Sequence, residues 1–173
     1  MIIGIDPGAK GALAWLSDDG HLIGVQDLPW IKNHGLNVAS FAAWIRLRET
    51  DIRHAFVERV ASRPGQGVVS VFSFGMSYGQ ILGVLSALKI PVTLIAPTKW
   101  KPAVGLPTGS DKAASRARAS QLWPGAADTF ARVRDDGRAE AALIGLYGAR
   151  TLSPDAAPAR DGNGQPAGKE PVK

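Results

Sequence analysis

Short apolar runs and longer segments of helical spacing alternate along residues 1–150. Five runs, bounded by turn signals such as Ser17-Asp18-Asp19-Gly20, predict β-strands. These strands cover residues 2–6, 11–16, 21–27, 54–60 and 91–95. Helices are predicted for the segment that follows Ser40 as its N-cap and for residues 68–88, 111–123 and 136–150. The Gly- and Pro-rich residues 101–110 predict a loop.

The order of these elements predicts an α/β fold. The first three strands are joined by short connections, which favours an antiparallel meander. The last two strands each follow a helix, which favours parallel pairing. We therefore predict a mixed five-stranded sheet with helices on both faces.

Residues 151–173 differ in composition from the rest of the chain. They are rich in Pro, Gly and Ala, carry almost no large apolar side chain and have no net charge. Such a segment cannot bury enough apolar surface to offset its ordering entropy, so we predict a disordered tail. Residues 1–150 are then one domain, which carries the whole net charge of +5.

The composition excludes several function classes. The 173 residues include no Cys, which excludes disulfides and thiolate-bound zinc. No apolar run is long enough to span a membrane, and the first residues lack the layout of a signal peptide, so we expect a cytoplasmic protein without a membrane partner. The basic excess favours an acidic partner, most commonly nucleic acid.

Acidic residues stand where predicted strands end and where the last helix begins. Asp6 follows the apolar run of the first strand, and Glu58 lies within the apolar FVERV of the fourth. Asp136 and Glu140 are four positions apart and share a helix face. If that helix crosses beside these strands, the acids meet, and their mutual repulsion requires cations. Oxygen ligands without Cys or paired His suit Mg²⁺ or Mn²⁺, and such a cluster can hold two ions for phosphodiester hydrolysis.

Each of these acids also has a simpler interpretation. An acid at a strand end, such as Asp6, is often a turn or cap residue. Asp135 and Asp136 are charges that the dipole favours at a helix N-terminus. Glu140 is alternatively an exposed helix acid or a partner of Arg138. The combination of the acids in this order favours the catalytic interpretation.

Five sequence islands resemble RuvC-type Holliday junction resolvases. They are IGIDPG, FVERV, GQILGV, GSDKA and AEAALIG, and VERVASRPGQG followed by FSFGMSYGQ is closer to the bacteriophage-encoded branch. The order of the elements is also that of the ribonuclease-H-like fold. The resemblance, from Met1 to about Arg150, implies a ribonuclease-H-like nuclease domain. It further implies a Mg²⁺-dependent homodimer that nicks two opposed strands of a four-way DNA junction.

The resemblance implies roles for particular acids. Asp6 and Glu58 match the first two metal-binding acids of the family, and Glu140 matches the last. The family's third acid stands three residues before the last, where this chain has Gly137. Asp136 is favoured in its place because of its spacing from Glu140, with Asp135 as the alternative.

Basic and aromatic residues supply candidate DNA contacts. Ala61 stands where the bacterial enzymes carry a Phe that stacks at the junction centre. Phe72, Phe74 or Arg63 are therefore candidates to stack on bases. Core packing is the alternative for the two Phe residues. Five basic residues follow in one window: Lys99, Lys101, Lys112, Arg116 and Arg118. A Gly-rich entry to a helix suits a phosphate, and Lys112 matches a basic residue that the family uses near the scissile phosphate. A solvated face is the alternative for Arg116 and Arg118. Core or interface positions are predicted for Trp15, Trp44, Trp100 and Trp123.

Three other functions are compatible with parts of the pattern. An actin- or sugar-kinase-like ATPase also begins with a strand, an Asp and a Gly turn, but it needs two such domains and a second phosphate loop. Another ribonuclease-H-like nuclease would act on RNA–DNA hybrids or on flap and branched DNA. A catalytically inactive DNA-binding relative is disfavoured by the intact acids.

Overall fold

The computed structural model describes residues 1–32, 34–60, 67–107 and 109–153. Within these residues seven strands are formed: β1 (Ile2–Asp6), β2 (Ala12–Leu16), β3 (Leu22–Asp27), β4 (Trp30–Ile31), β5 (Gly35–Leu36), β6 (His54–Glu58) and β7 (Val92–Ile95). The α-helices are α1 (Val38–Arg46), α2 (Val68–Ala87), α3 (Pro97–Ala103), α4 (Lys112–Leu122) and α5 (Asp136–Leu152). Two 3₁₀ segments, Pro124–Phe130 and Val133–Asp135, connect α4 to α5.

The main sheet has the predicted mixed topology. Its five strands lie in the order β3-β2-β1-β6-β7. The first three pair antiparallel, whereas β1, β6 and β7 are mutually parallel. Ile5 is paired with Val57, so Asp6 and Glu58 follow side by side at the carboxyl edge of the sheet.

Helices cover both faces of this sheet, as predicted. On one face α5 packs along β1 so closely that a Cβ on Gly4 would lie 2.2 Å from the carbonyl oxygen of Ala141. On the other face, Phe41 of α1 and Ile81 of α2 pack in one core with Ile5. The central strands β1, β2 and β6 therefore have apolar sequences because they are buried on both sides.

Two local predictions were wrong, and one element was missed. The N-cap of α1 is Asn37, whose Oδ1 accepts a hydrogen bond from the Ser40 backbone N–H at 3.1 Å, so the helix begins before Ser40. Residues 101–103 are helical because Pro97, suited to a first helical turn, starts α3 before the Gly-rich stretch. The short β4–β5 hairpin was not predicted, since its strands have two residues each.

Two further predictions concern parts of the chain outside this description. The tail prediction falls almost entirely on residues 154–173, and Arg63 and Ala61 belong to residues 61–66; all of these lie outside the described residues. Among the helices that are described, none is long and apolar enough to cross a membrane.

Candidate active site

Three acidic side chains meet at the carboxyl edge of the sheet. Asp6 ends β1, Glu58 ends β6, and Glu140 lies in the second turn of α5, which crosses behind both strands. All three line one cavity of about 580 Å³. The prediction that these acids would share a site depended on where α5 crosses the sheet, and the close Gly4–Ala141 approach fixes that crossing.

Two of the three acids, Asp6 and Glu58, have raised pKa values. Burial raises the pKa of Asp6 to about 6, with a further contribution from the Glu140 carboxylate. The Gly8 N–H, 3.2 Å from Asp6 Oδ1, opposes part of this rise. Burial raises the pKa of Glu58 to about 7, and the charges of Asp6 and Glu140 add to the effect. Asp6 and Glu58 are therefore held where their charged forms are disfavoured unless cations bind.

Helix α3 provides a partner for two of the acids. The indole Nε1–H of Trp100, which is fully buried, donates to Glu58 Oε1 at 3.3 Å. The ammonium of Lys101 lies 3.3 Å from Glu140 Oε1 and 3.4 Å from the Ser110 carbonyl oxygen. Trp100 was predicted at a core or interface position, and its burial shows that it belongs to the core, but its contact with Glu58 was missed. Lys101 faces the acids rather than open solvent.

Asp135 and Asp136 do not line the cavity that the other three acids share. Asp136 is ion-paired with Arg116. Asp135 is buried and accepts hydrogen bonds from Arg132, the nearest at 2.8 Å, and these hold its pKa below the usual range. Arg138 binds Asp27 through two hydrogen bonds of 2.6 and 2.7 Å and does not pair with Glu140.

Gly137, where the resemblance implies an acid, has no room for a side chain. A Cβ at this residue would lie 2.0 Å from the carbonyl oxygen of Lys10 and 2.9 Å from the Cα of Gly11. Real Cβ atoms do not approach backbone atoms so closely. No side chain therefore fits at residue 137 while the Lys10–Gly11 backbone stays in place.

Lysines surround the acids at the cavity rim. Lys101 and Lys112 were predicted, whereas Lys10, in the PGAKG loop directly after Asp6, was missed although its sequence position could have indicated it. Asp111 was also missed; it lines the cavity while its Oδ1 caps α4 by accepting from the Ala114 N–H at 2.8 Å.

The other predicted DNA contacts lie outside the cavity. Lys99 is exposed on α3, and Arg118 donates from Nε to the Val104 carbonyl oxygen at 2.7 Å. Phe72 is 73% exposed near the start of α2, and Phe74 is half-buried.

The donor set suits a hard divalent cation. It consists of carboxylate oxygens without thiolate or imidazole, which matches the preference of Mg²⁺ and Mn²⁺. Within the described residues, no three acidic or His side chains stand close enough in this arrangement to enclose one ion. The contacts of Glu58 with Trp100 and of Glu140 with Lys101 account for the separation, because each acid is turned toward its own donor.

The fold is similar to solved structures of a bacterial nuclease. Thermus thermophilus RuvC matches with a TM-score of 0.55, and T. thermophilus RuvC in complex with Holliday junction substrate matches with a TM-score of 0.62. Both are 16% identical and cover 87% of this chain and 95% of theirs. At this identity the likeness shows the fold, and it confirms the predicted ribonuclease-H-like architecture.

Comparison by sequence matches a smaller part of the chain than comparison by structure. No protein-family model matches the chain. The chloroplastic Holliday junction resolvase MOC1 of Chlamydomonas reinhardtii is 31% identical over 94 residues, which are 54% of this chain and only 11% of that protein. Neither relative is described as a bacteriophage protein, so that branch stays a prediction.

Proposed function

Because the chain has the RuvC-type fold, we propose that it is a metal-dependent endonuclease that resolves four-way DNA junctions by paired nicks. One observation carries the proposal: Asp6, Glu58 and Glu140 line a single cavity at the carboxyl edge of this fold. Two kinds of similarity support it, since a curated relative is named a Holliday junction resolvase and a solved RuvC is bound to a Holliday junction substrate. In enzymatic terms it would be a crossover junction endodeoxyribonuclease.

The proposed cofactor is Mg²⁺ or Mn²⁺, two ions per site, held by Asp6, Glu58 and Glu140. The ions would supply an activated water and neutralise charge on the phosphodiester. Asp136 stays a predicted fourth ligand, and to reach the ions its carboxylate would have to leave Arg116.

The chain's own groups prepare this site in two ways. Trp100 holds Glu58 in one orientation, because its buried indole has a fixed direction and donates directly to the carboxylate. Lys101 neutralises Glu140 and would release it when a divalent cation competes for the same oxygens. The nearby Lys112, at the start of α4, is placed to attract a DNA phosphate to the cavity.

Paired nicking needs two sites, and α2 offers a surface for a homodimer. Its exposed apolar residues follow one stripe: Val68 (84% exposed), Val69 (82%), Phe72 (73%) and Met76 (42%). Gly75 and Gly79 extend the stripe, and a Cβ at either would meet no atom within 4 Å. A contiguous apolar patch of this kind is typical of an interface. A charged substitution, Val69→Asp, should then shift the sedimentation coefficient from dimer to monomer, whereas Ser86→Asp on the exposed far end of α2 should not.

The decisive experiment compares substrates. Labelled four-way junction, linear duplex and RNA–DNA hybrid are incubated with the protein in Mg²⁺ or in chelator. We expect symmetric nicks in the junction alone, lost in Asp6→Asn and Glu140→Gln and retained in the exposed control Asp128→Asn. Equal cleavage of the hybrid would favour another ribonuclease-H-like nuclease, and single nicks on flap or branched DNA would indicate a broader branched-DNA enzyme.

A further inference from the structure

A second cavity adjoins the acidic one. It has a volume of about 300 Å³, near the lower end of the range for ligand pockets. The backbone of residues 9–11 borders both cavities, so Lys10 stands on the ridge between them. The remaining walls of the second cavity include Trp30 of the β4–β5 hairpin and Arg134 of the 3₁₀ segment before α5.

The ridge between the cavities is held firmly. The Gly11 N–H donates to the Gly8 carbonyl oxygen at 2.8 Å, and the Leu28 N–H donates to the Gly11 carbonyl oxygen at 3.0 Å. Gly137 of α5 packs directly against the Lys10 carbonyl from the other side. The Lys10 side chain therefore projects from a backbone that is fixed on both sides.

The second cavity is positively charged. Lys10 and Arg134 are exposed, and neither forms an ion pair within the described ranges. The one acid in its wall, Asp27, is already neutralised by the two hydrogen bonds from Arg138. Trp30 is half-buried against the core and adds an aromatic surface to the wall of the same cavity.

We infer that the second cavity binds the nucleotide next to the scissile phosphate, with its base against Trp30 and its phosphate between Lys10 and Arg134. Aromatic rings combined with Lys and Arg are how proteins hold single nucleic-acid strands. The shared border with the acidic cavity favours a DNA strand over a free small molecule, because a strand can occupy both cavities by crossing the Lys10 ridge. This inference rests on the proposed nuclease function and extends it to the strand path.

The test uses junction binding by the cleavage-deficient Asp6→Asn protein in Mg²⁺. Adding Trp30→Ala should weaken binding by about 5- to 150-fold, the loss typical of one stacked base, and Trp30→Phe should restore most of it. Adding Arg134→Gln should make the dependence of log Kd on log salt shallower by about one unit. Lys89→Gln, at the opposite edge of the sheet, is the matched control and should change neither quantity.

Abasic sites locate the stacked base. Removing the base at one position beside the scissile phosphate should weaken binding by the protein with Trp30 and have no further effect on the Trp30→Ala protein. Arg134→Gln alters an exposed side chain and keeps the test valid if Trp30→Ala fails to fold, which circular dichroism would reveal. An excess of free mononucleotide should compete poorly with the junction.

The outcomes separate the two proposals. If the Asp6→Asn protein binds junctions tightly and neither Trp30→Ala nor Arg134→Gln changes binding, the strand path is wrong and the nuclease function stands. Loss of binding that is the same for every abasic position would also overturn the stacking role. If the Asp6→Asn protein has no preference for junctions over duplex, both the junction-resolving function and this inference are wrong.

Discussion

Replacing Asp6 by Asn should stabilise the protein at neutral pH in the absence of divalent cations. The substitution keeps an oxygen that can accept from the Gly8 N–H, and it removes a charge from a buried cluster. The pKa of Asp6 is raised from 3.8 to about 6, so ionising this group in the folded protein costs about 3 kcal/mol relative to the unfolded chain. For a chain of this length the gain corresponds to a rise in Tm of about 6–12 °C.

The sign of the pH dependence follows from the raised pKa. Asp6 binds its proton more tightly in the folded state than in the unfolded state, so the free energy of unfolding falls as the pH rises from about 4 to about 6. Glu58, whose pKa is raised to about 7, extends the fall to that pH. The stabilisation by Asp6→Asn should therefore be near its full size at pH 8 and disappear at pH 3.5.

The assay is urea unfolding in chelator across this pH range, with Asp128→Asn as an exposed control. Mg²⁺ at 100 times its Kd should raise the free energy of unfolding of the original protein by about 2.7 kcal/mol. The difference in this free energy between the original protein and Asp6→Asn should then become smaller. The reasoning fails if Asp6→Asn is less stable than the original protein at pH 8, or if the difference between them is the same at pH 3.5.

Three more predictions concern the surroundings of the acids. Gly137→Ala should lower the free energy of unfolding by at least about 1–3 kcal/mol, because the new Cβ meets the Lys10 carbonyl. Gly125→Ala, where the new Cβ meets nothing within 4 Å, should not lower it. Urea unfolding measures both differences. Trp100→Phe should weaken Mg²⁺ binding by about 10- to 100-fold in calorimetry, since Glu58 loses its orienting donor. Unchanged affinity would show that Trp100 only packs in the core. Asp136→Asn should reduce junction nicking less than Glu140→Gln, because Asp136 is paired with Arg116 outside the cavity; equal losses would place Asp136 among the ligands.

The centre of the sheet could be predicted from the sequence because the central strands are buried on both faces. Apolar runs such as those of β1 and β6 leave few alternatives for where the chain is extended, and an acid that ends such a run stands out. This is why Asp6 and Glu58 could be selected as candidate site residues from the sequence alone. The helix cap at Asn37 was missed because Asn37 and Ser40 both suit an N-cap, and the choice depends on local backbone geometry.

Side-chain pairings between distant residues could not be predicted from the sequence. Trp100 and Glu58 are 42 residues apart, Lys101 and Glu140 are 39 apart, and Arg116 and Asp136 are 20 apart. Periodicity indicates which face of a helix is buried, but it does not indicate which donor reaches which carboxylate. Asp136 and Glu140 lie four positions apart in one helix, as predicted. The ion pair with Arg116 nevertheless holds the Asp136 carboxylate outside the cavity.

The packing around Gly137 leaves no space for the third acid that the resemblance implies at this position. A carboxylate at this position would require the loop of residues 8–11 to move away from α5, because the Lys10 carbonyl fills the space of its Cβ. That loop is fixed to Leu28 on its other side, so it cannot retreat without disturbing the end of β3. An acid at residue 137 and a closely packed Lys10 therefore exclude each other. In this chain the packed loop places Lys10 at the rim of the acidic cavity, where it also lines the second cavity.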